Sequence, residues 1–144
     1  MHLIKLCVGI DSFEQLAAWQ TMRLEKYRRA GAPAELIHRT RHAPRQADAV
    51  LTSGSLYWVI KGAIQCRQKV LELREETDQE GRSLCGIVLD HALIATRPQP
   101  RRPFQGWRYL KPEDAPADLG AAGRFDEGDI PPAMRAELAA LSLL

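Results

Sequence analysis

The chain is poor in cysteine: its 144 residues include three, Cys7, Cys66 and Cys85, widely spaced and without a CxxC pair. An odd set of that kind argues against a disulfide framework and predicts a cytoplasmic protein. Long apolar runs are missing as well. Residues 1–10 hold too short an apolar stretch for a signal peptide before Asp11 ends it. No segment approaches the ~20 apolar residues of a membrane span, so no membrane partner is expected. There is no GxGxxG or phosphate-cradling loop, and Ser53-Gly54-Ser55 lacks the GxSxG elbow of a nucleophilic serine. Cys66 and Cys85 fall in predicted strands among apolar neighbours, where thiols are inert. His38 and His42 on one strand would stand about 13 Å apart, too far to share a metal ion. The reading therefore assigns no cofactor, no metal and no catalytic residue.

Aromatic residues are scarce, at 6%, with three each of Trp, Tyr and Phe. Five of the nine are concentrated in two blocks, 55–62 (SLYWVIKG) and 104–110 (FQGWRYL), and each block also carries a cation and a glycine. The net charge of +2 conceals a division. From Arg23 to Lys111 there are 17 Lys/Arg against 9 Asp/Glu, whereas Pro112 to Leu144 has 2 against 7. A basic body with an acidic tail suits a polyanionic partner, although uneven charge is more often only a solvated surface.

Local patterns outline the elements. Residues 2–10 read as a strand. Ser12-x-x-Gln15 and Asp11-x-x-Glu14 both fit a capping box, which satisfies free N–H groups at the start of a helix over 12–30. Phe13, Leu16, Ala17, Leu24 and Tyr27 share one face of it. Residues 36–41 form a strand with His38 and Thr40 on one side and Arg39 and Arg41 on the other. A histidine so placed ordinarily has its hydrogen bonds satisfied in a core or at a rim. Pro44 opens a short helix to about Leu51. Residues 56–60 are apolar on both faces and predict a central strand; Lys61-Gly62 is a turn or bulge, and the alternation beyond it changes phase at Val70-Leu71, the mark of a bulge. Residues 75–82 are expected to be a charged loop, 84–89 and 93–96 strands, and 97–103 an extended basic loop, because its prolines remove ladder donors. Strand returns at 104–110. Residues 112–130 should be mostly irregular and 131–142 a C-terminal helix. This order predicts one α+β domain over 1–144: a small, curved, mostly antiparallel sheet, or partly closed barrel, flanked by N- and C-terminal helices.

The blocks 54–62 and 104–110, with Arg67-Gln68, His38-Arg-Thr-Arg41 and Asp114-Ala-Pro116, resemble domain-of-unknown-function family 1489, small bacterial proteins, over nearly the whole chain. The resemblance implies a bacterial cytoplasmic protein and carries no catalytic residues across. In element order the chain is also similar to PUA-like barrels, including the ASCH group; that similarity implies a small barrel with flanking helices and RNA or modified bases as partners.

Three functions are weighed. In the first, the chain is an RNA-binding module. A basic strand face, with Arg39, Arg41, Lys61, Arg67, Arg102 and Arg108 meeting phosphates, would surround Trp107 and Tyr109 as stacking platforms. In the second, an enzyme or sensor binds a small anionic or nucleotide-like ligand in a pocket of Tyr57, Trp58, Lys61 and Trp107, with Arg67 or Arg108 holding the anion. In the third, the aromatic blocks are wholly core. A concave pocket favours the second reading and a long open basic groove the first.

Overall fold

A computed structural model describes residues 1–120 and the two-residue strand Arg124–Phe125. Strand β1 (His2–Leu6) leads into α1 (Phe13–Arg29). The expected cap forms: the Gln15 N–H donates to Ser12 Oγ at 3.0 Å, and the Asp11 N–H donates to Gln15 Oε1 at 2.6 Å. Basic Lys26, Arg28 and Arg29 end the helix, where cations complement its dipole. Then come β2 (Leu36–Thr40), α2 (Ala47–Ser53), β3 (Ser55–Ile60), β4 (Ala63–Thr77), β5 (Ser83–Leu89), β6 (Leu93–Pro100), β7 (Trp107–Leu110), one 3-10 turn at Pro112–Asp114 and β8 (Arg124–Phe125). The expected helix at 131–142 lies outside the described residues.

The eight strands form one sheet, with the main path β2-β5-β4-β3-β1-β7. Pairing is antiparallel except between β1 and β3. The fifteen-residue β4 is the spine. Its first half pairs with β3 on one edge and β6 on the other, and its second half pairs with β5. All six residues of β3 are buried, as expected of a central strand. Lys61 (φ 49°) and Gly62 (φ 78°) supply the two left-handed residues of a tight β3–β4 hairpin. The register of β4 against β5 shifts between Val70 and Glu72, which is the bulge expected from the change of phase.

Four expectations about strand length are corrected: β1 stops at Leu6 rather than Ile10, β7 starts at Trp107 rather than Phe104, and two strands run longer than expected. Strand β4 runs on to Thr77 rather than giving way to loop at Glu75, because β5 pairs with it as far as Ser83. Strand β6 runs to Pro100 and takes in prolines assigned above to a loop. It does so because β6 bulges: Ile64 and Cys66 of β4 face Gln99 and Ala95, so Pro98 lies in the irregular stretch where no ladder donor is required.

The inner face carries the larger core, including Leu3, Leu16, Leu24, Leu56, Trp58 and Ile87 under α1. A smaller core on the other face gathers Ile4, Tyr57, Val59, Ile64 and Leu110, with Phe104 against it. The sheet curls until β7 nears the segment after β2: Trp107 Nε1 donates to the His42 carbonyl at 2.7 Å, and the Gln46 N–H donates to Tyr109 Oη at 3.0 Å. Among the described residues no ladder joins β2 to β7, so the fold is an α+β structure with a curled, open sheet.

Candidate functional site

The curl leaves a hollow between α1 and the inner face of the sheet. The register places Cys66, Trp58, Lys5 and Trp107 in one cross-strand row over β4, β3, β1 and β7. Lys5 therefore stands between two tryptophans, the one charge in an otherwise apolar strand apart from terminal His2. Among the described residues its side-chain ammonium has no ion pair or hydrogen bond. From the helix, Trp19, Arg23 and Tyr27 recur every fourth residue and so share a face. The Arg23 guanidinium lies 4.9 Å from the Trp19 ring and 5.7 Å from Tyr27, within cation–π range. From β2, His38 meets Trp58 edge-on, with ring centroids 5.2 Å apart at 88°. Lys5, Trp19, Arg23, Tyr27, His38 and Trp58 thus surround a cavity of about 420 Å³, within the range of small-ligand sites.

The wall of this cavity is held by a buried amide. Gln68 Oε1 accepts from Trp58 Nε1 and from Gln20 Nε2, both at 2.9 Å. Gln68 Nε2 donates to Gln20 Oε1 at 2.8 Å and to the Asp90 carbonyl at 3.0 Å. Every hydrogen-bonding position of the Gln68 side chain is used, and the Trp58 ring is locked with it.

His38 departs from the satisfied histidine expected of such a position, since its buried Nε2 has no hydrogen-bond partner among the described residues. Burial, and secondarily the charge of Lys5, lower its pKa from 6.5 to about 4, leaving a neutral imidazole at neutral pH. The Cys7 thiol is pushed up to about 12 by burial, against an opposing pull from Lys5. It stays protonated and is no nucleophile. His2 is also shifted down, by burial first and then by the N-terminal amine and Arg67. Its Nδ1 accepts from the Ser55 N–H at 3.0 Å, a bond that requires that nitrogen unprotonated.

These shifts predict a pH dependence. Both histidines bind protons less readily folded than unfolded, so stability present above about pH 6.5 is lost as pH falls towards 4. His38 alone contributes on the order of 3 kcal/mol over its whole window. Urea midpoints at pH 7 and pH 5, mostly above the carboxylate range, should differ, and His38→Phe should flatten most of the difference. A wild-type midpoint unchanged between those values would contradict the assignment.

The residues selected from sequence fall into three places. Arg39, Arg41 and Trp107 come together, with Lys5, around a second cavity of about 570 Å³ at the seam between β2 and β7. Both arginines are ion-paired there, Arg39 to Glu76 at 2.8 Å and Arg41 to Asp78 at 2.9 Å, and the Arg41 guanidinium holds the Asp78 carboxyl below its usual range. Tyr109 meets Trp107 edge-on beside them, with centroids 5.0 Å apart. Tyr57, Arg67 and Arg108 belong to the opposite face. Tyr57 is buried against His2, with centroids 5.0 Å apart. Arg67 makes a two-pronged pair with Asp118 at 2.9 and 2.8 Å and donates to Ser55 Oγ. Arg108 lies 5.1 Å from the Phe104 ring. Lys61 and Arg102 are exposed near the β3–β4 turn, where the Arg101 N–H donates to the Gly62 carbonyl. Sequence reasoning did not select Lys5, Trp19, Arg23 or Gln68. The available signals were a lone lysine in an apolar strand and the four-residue recurrence Trp19–Arg23–Tyr27.

Fold and site together define an α+β protein whose curled sheet and N-terminal helix enclose an aromatic pocket lined also by Lys5, Arg23 and Glu35, the last paired to Arg74 at 2.9 Å. A family model described as "Protein of unknown function (DUF1489)" matches residues 3–144, and the chain belongs to that family. No curated protein and no solved structure matches the chain. Among the described residues no helix is long and apolar enough to cross a membrane.

Proposed function

We propose that this protein binds a flat, anionic, nucleotide-like ligand in the pocket between α1 and the inner sheet face. The observation that carries the reading is the convergence of Lys5, which has no acidic partner among the described residues, with Trp19, Trp58 and Arg23 on one cavity of about 420 Å³. The half-buried Trp19 ring offers a face to a planar ligand, a contact contributing about 1–3 kcal/mol, while the buried Trp58 ring backs the cavity wall. The lysine and arginine offer charge-assisted hydrogen bonds to an anionic group. Neutral His38, with a vacant Nε2 beside Trp58, adds a polar edge.

An open basic groove has less support. Arg67 already holds the Asp118 carboxylate, and Arg67 and Arg108 lie on the face opposite Trp107 and Tyr109. Titration with the common nucleoside monophosphates should quench or shift the tryptophan fluorescence. Lys5→Ala and Trp19→Ala should each weaken binding about tenfold or more. Absence of any binding, or equal affinity in both variants, would refute the proposal.

A further inference from the structure

Resting on that reading, we infer that the ligand is one nucleotide of a single-stranded nucleic acid, with its base in the pocket and its backbone leaving through the seam between β2 and β7. Lys5 lines both the pocket and the seam cavity. A phosphate held at Lys5 therefore stands at the entrance to the second space. That space has a volume of about 570 Å³. A free monophosphate would leave it empty, whereas a polymer backbone has to pass somewhere.

The chemistry of the seam fits such a backbone. Among the described residues its lining includes Lys5, Arg39, Arg41 and His42, and no Asp or Glu. Gly106, at φ 69°, lies in the opposing wall, and a Cβ built there would meet nothing within 4 Å. Trp107 stands in the same wall and is fixed through its Nε1, which donates to the His42 carbonyl at 2.7 Å. Arg39 and Arg41 are held by Glu76 and Asp78, but their side chains remain 49% and 54% exposed. Partly exposed ion pairs of this kind contribute little, so a phosphodiester can share the guanidinium groups while Glu76 and Asp78, 23% and 17% exposed, stay in place, Asp78 held also by the Glu80 and Arg82 N–H groups. Each phosphate neutralised adds salt dependence by releasing counterions.

The test compares nucleoside monophosphates with matching homopolymeric pentanucleotides, ribo and deoxyribo, at low and high salt. The proteins are the wild type, Arg39→Ala/Arg41→Ala and Glu76→Gln/Asp78→Asn. Pentanucleotides should bind about tenfold or more tighter than monophosphates and lose affinity more steeply with salt. The arginine double variant should lose that advantage, and the carboxylate double variant should increase it. Both double variants break the same ion pairs, so opposite effects separate a contact with the backbone from damage to the fold. A preference for ribo or deoxyribo strands identifies the polymer. Pentanucleotides no tighter than monophosphates, or both double variants moving affinity the same way, would overturn the inference and leave the pocket reading standing. If neither monophosphates nor pentanucleotides bind, the pocket reading fails with it.

Discussion

Replacing Gln68 by alanine should destabilise the protein by roughly 3–5 kcal/mol, because it strips a buried network of its centre. Gln68 is fully buried. Its amide joins α1 through Gln20, β3 through Trp58 and the β5–β6 turn through the Asp90 carbonyl. Alanine would leave the Trp58 indole N–H and the Gln20 amide buried without that partner. Each unsatisfied group costs about 1–3 kcal/mol, and the cavity left behind adds to it. Glutamate keeps the size but cannot donate to Gln20 Oε1 and Asp90 O when ionised, so Gln68→Glu should also be strongly destabilised at neutral pH. Urea denaturation gives the loss directly. Near-ultraviolet circular dichroism should report a less ordered Trp58, and ligand affinity should fall in step. A Gln68→Ala midpoint within experimental error of the wild type would mean that the network contributes little.

Gly54→Ala should cost roughly 2–4 kcal/mol through a different cause. Gly54 has φ −80° and ψ 151°, a backbone region open to any residue. The obstacle is space: an added Cβ would fall within hard contact of two backbone carbonyl oxygens, those of Met1 and Val50. Neither is the end of a flexible side chain that can turn aside. The Gly54 N–H donates to the Val50 carbonyl at 2.7 Å, and its carbonyl accepts from Val70 at 3.0 Å, so the residue is pinned on both sides. Gly62→Ala is the control. It has a positive φ but nothing within 4 Å of a Cβ, and should cost only about 1 kcal/mol. If Gly54→Ala proved no worse than Gly62→Ala in urea, the close approach would not be what demands glycine at position 54.

Both residues lie within segments that resemble the family, 54–62 and Arg67-Gln68, and that resemblance extends across a chain matched over residues 3–144. Their physical roles were not legible there. Gly54 reads locally as the end of α2. Gln68 shares the inward parity of Ile64, Cys66 and Val70, but nothing local shows the partners from three other elements that saturate it. The candidate site shows the same division. Arg39, Arg41 and Trp107 were selected from sequence and do meet at the seam, but Lys5 and Arg23, which line the pocket, were passed over. The basic strand face predicted from charge is real as sequence. In space Glu76, Asp78 and Asp118 neutralise much of it, across separations of 37, 37 and 51 residues.

What the sequence determined by itself is local. It specified the capped start of α1, the doubly buried β3, the Lys61-Gly62 turn, the β-bulge at Val70 and the opposite parity of Arg108 from Trp107 and Tyr109. Each follows from hydrogen bonds and side-chain directions that repeat within two to four residues. Only the tertiary structure decided that prolines fit into β6, that the arginines find acids, that the sheet stays open, and that Lys5 stands between Trp58 and Trp107. Those outcomes depend on strand register and on the curl that brings β7 towards β2. Neither leaves a short-range period in the chain, because the partners it unites are separated by tens of residues.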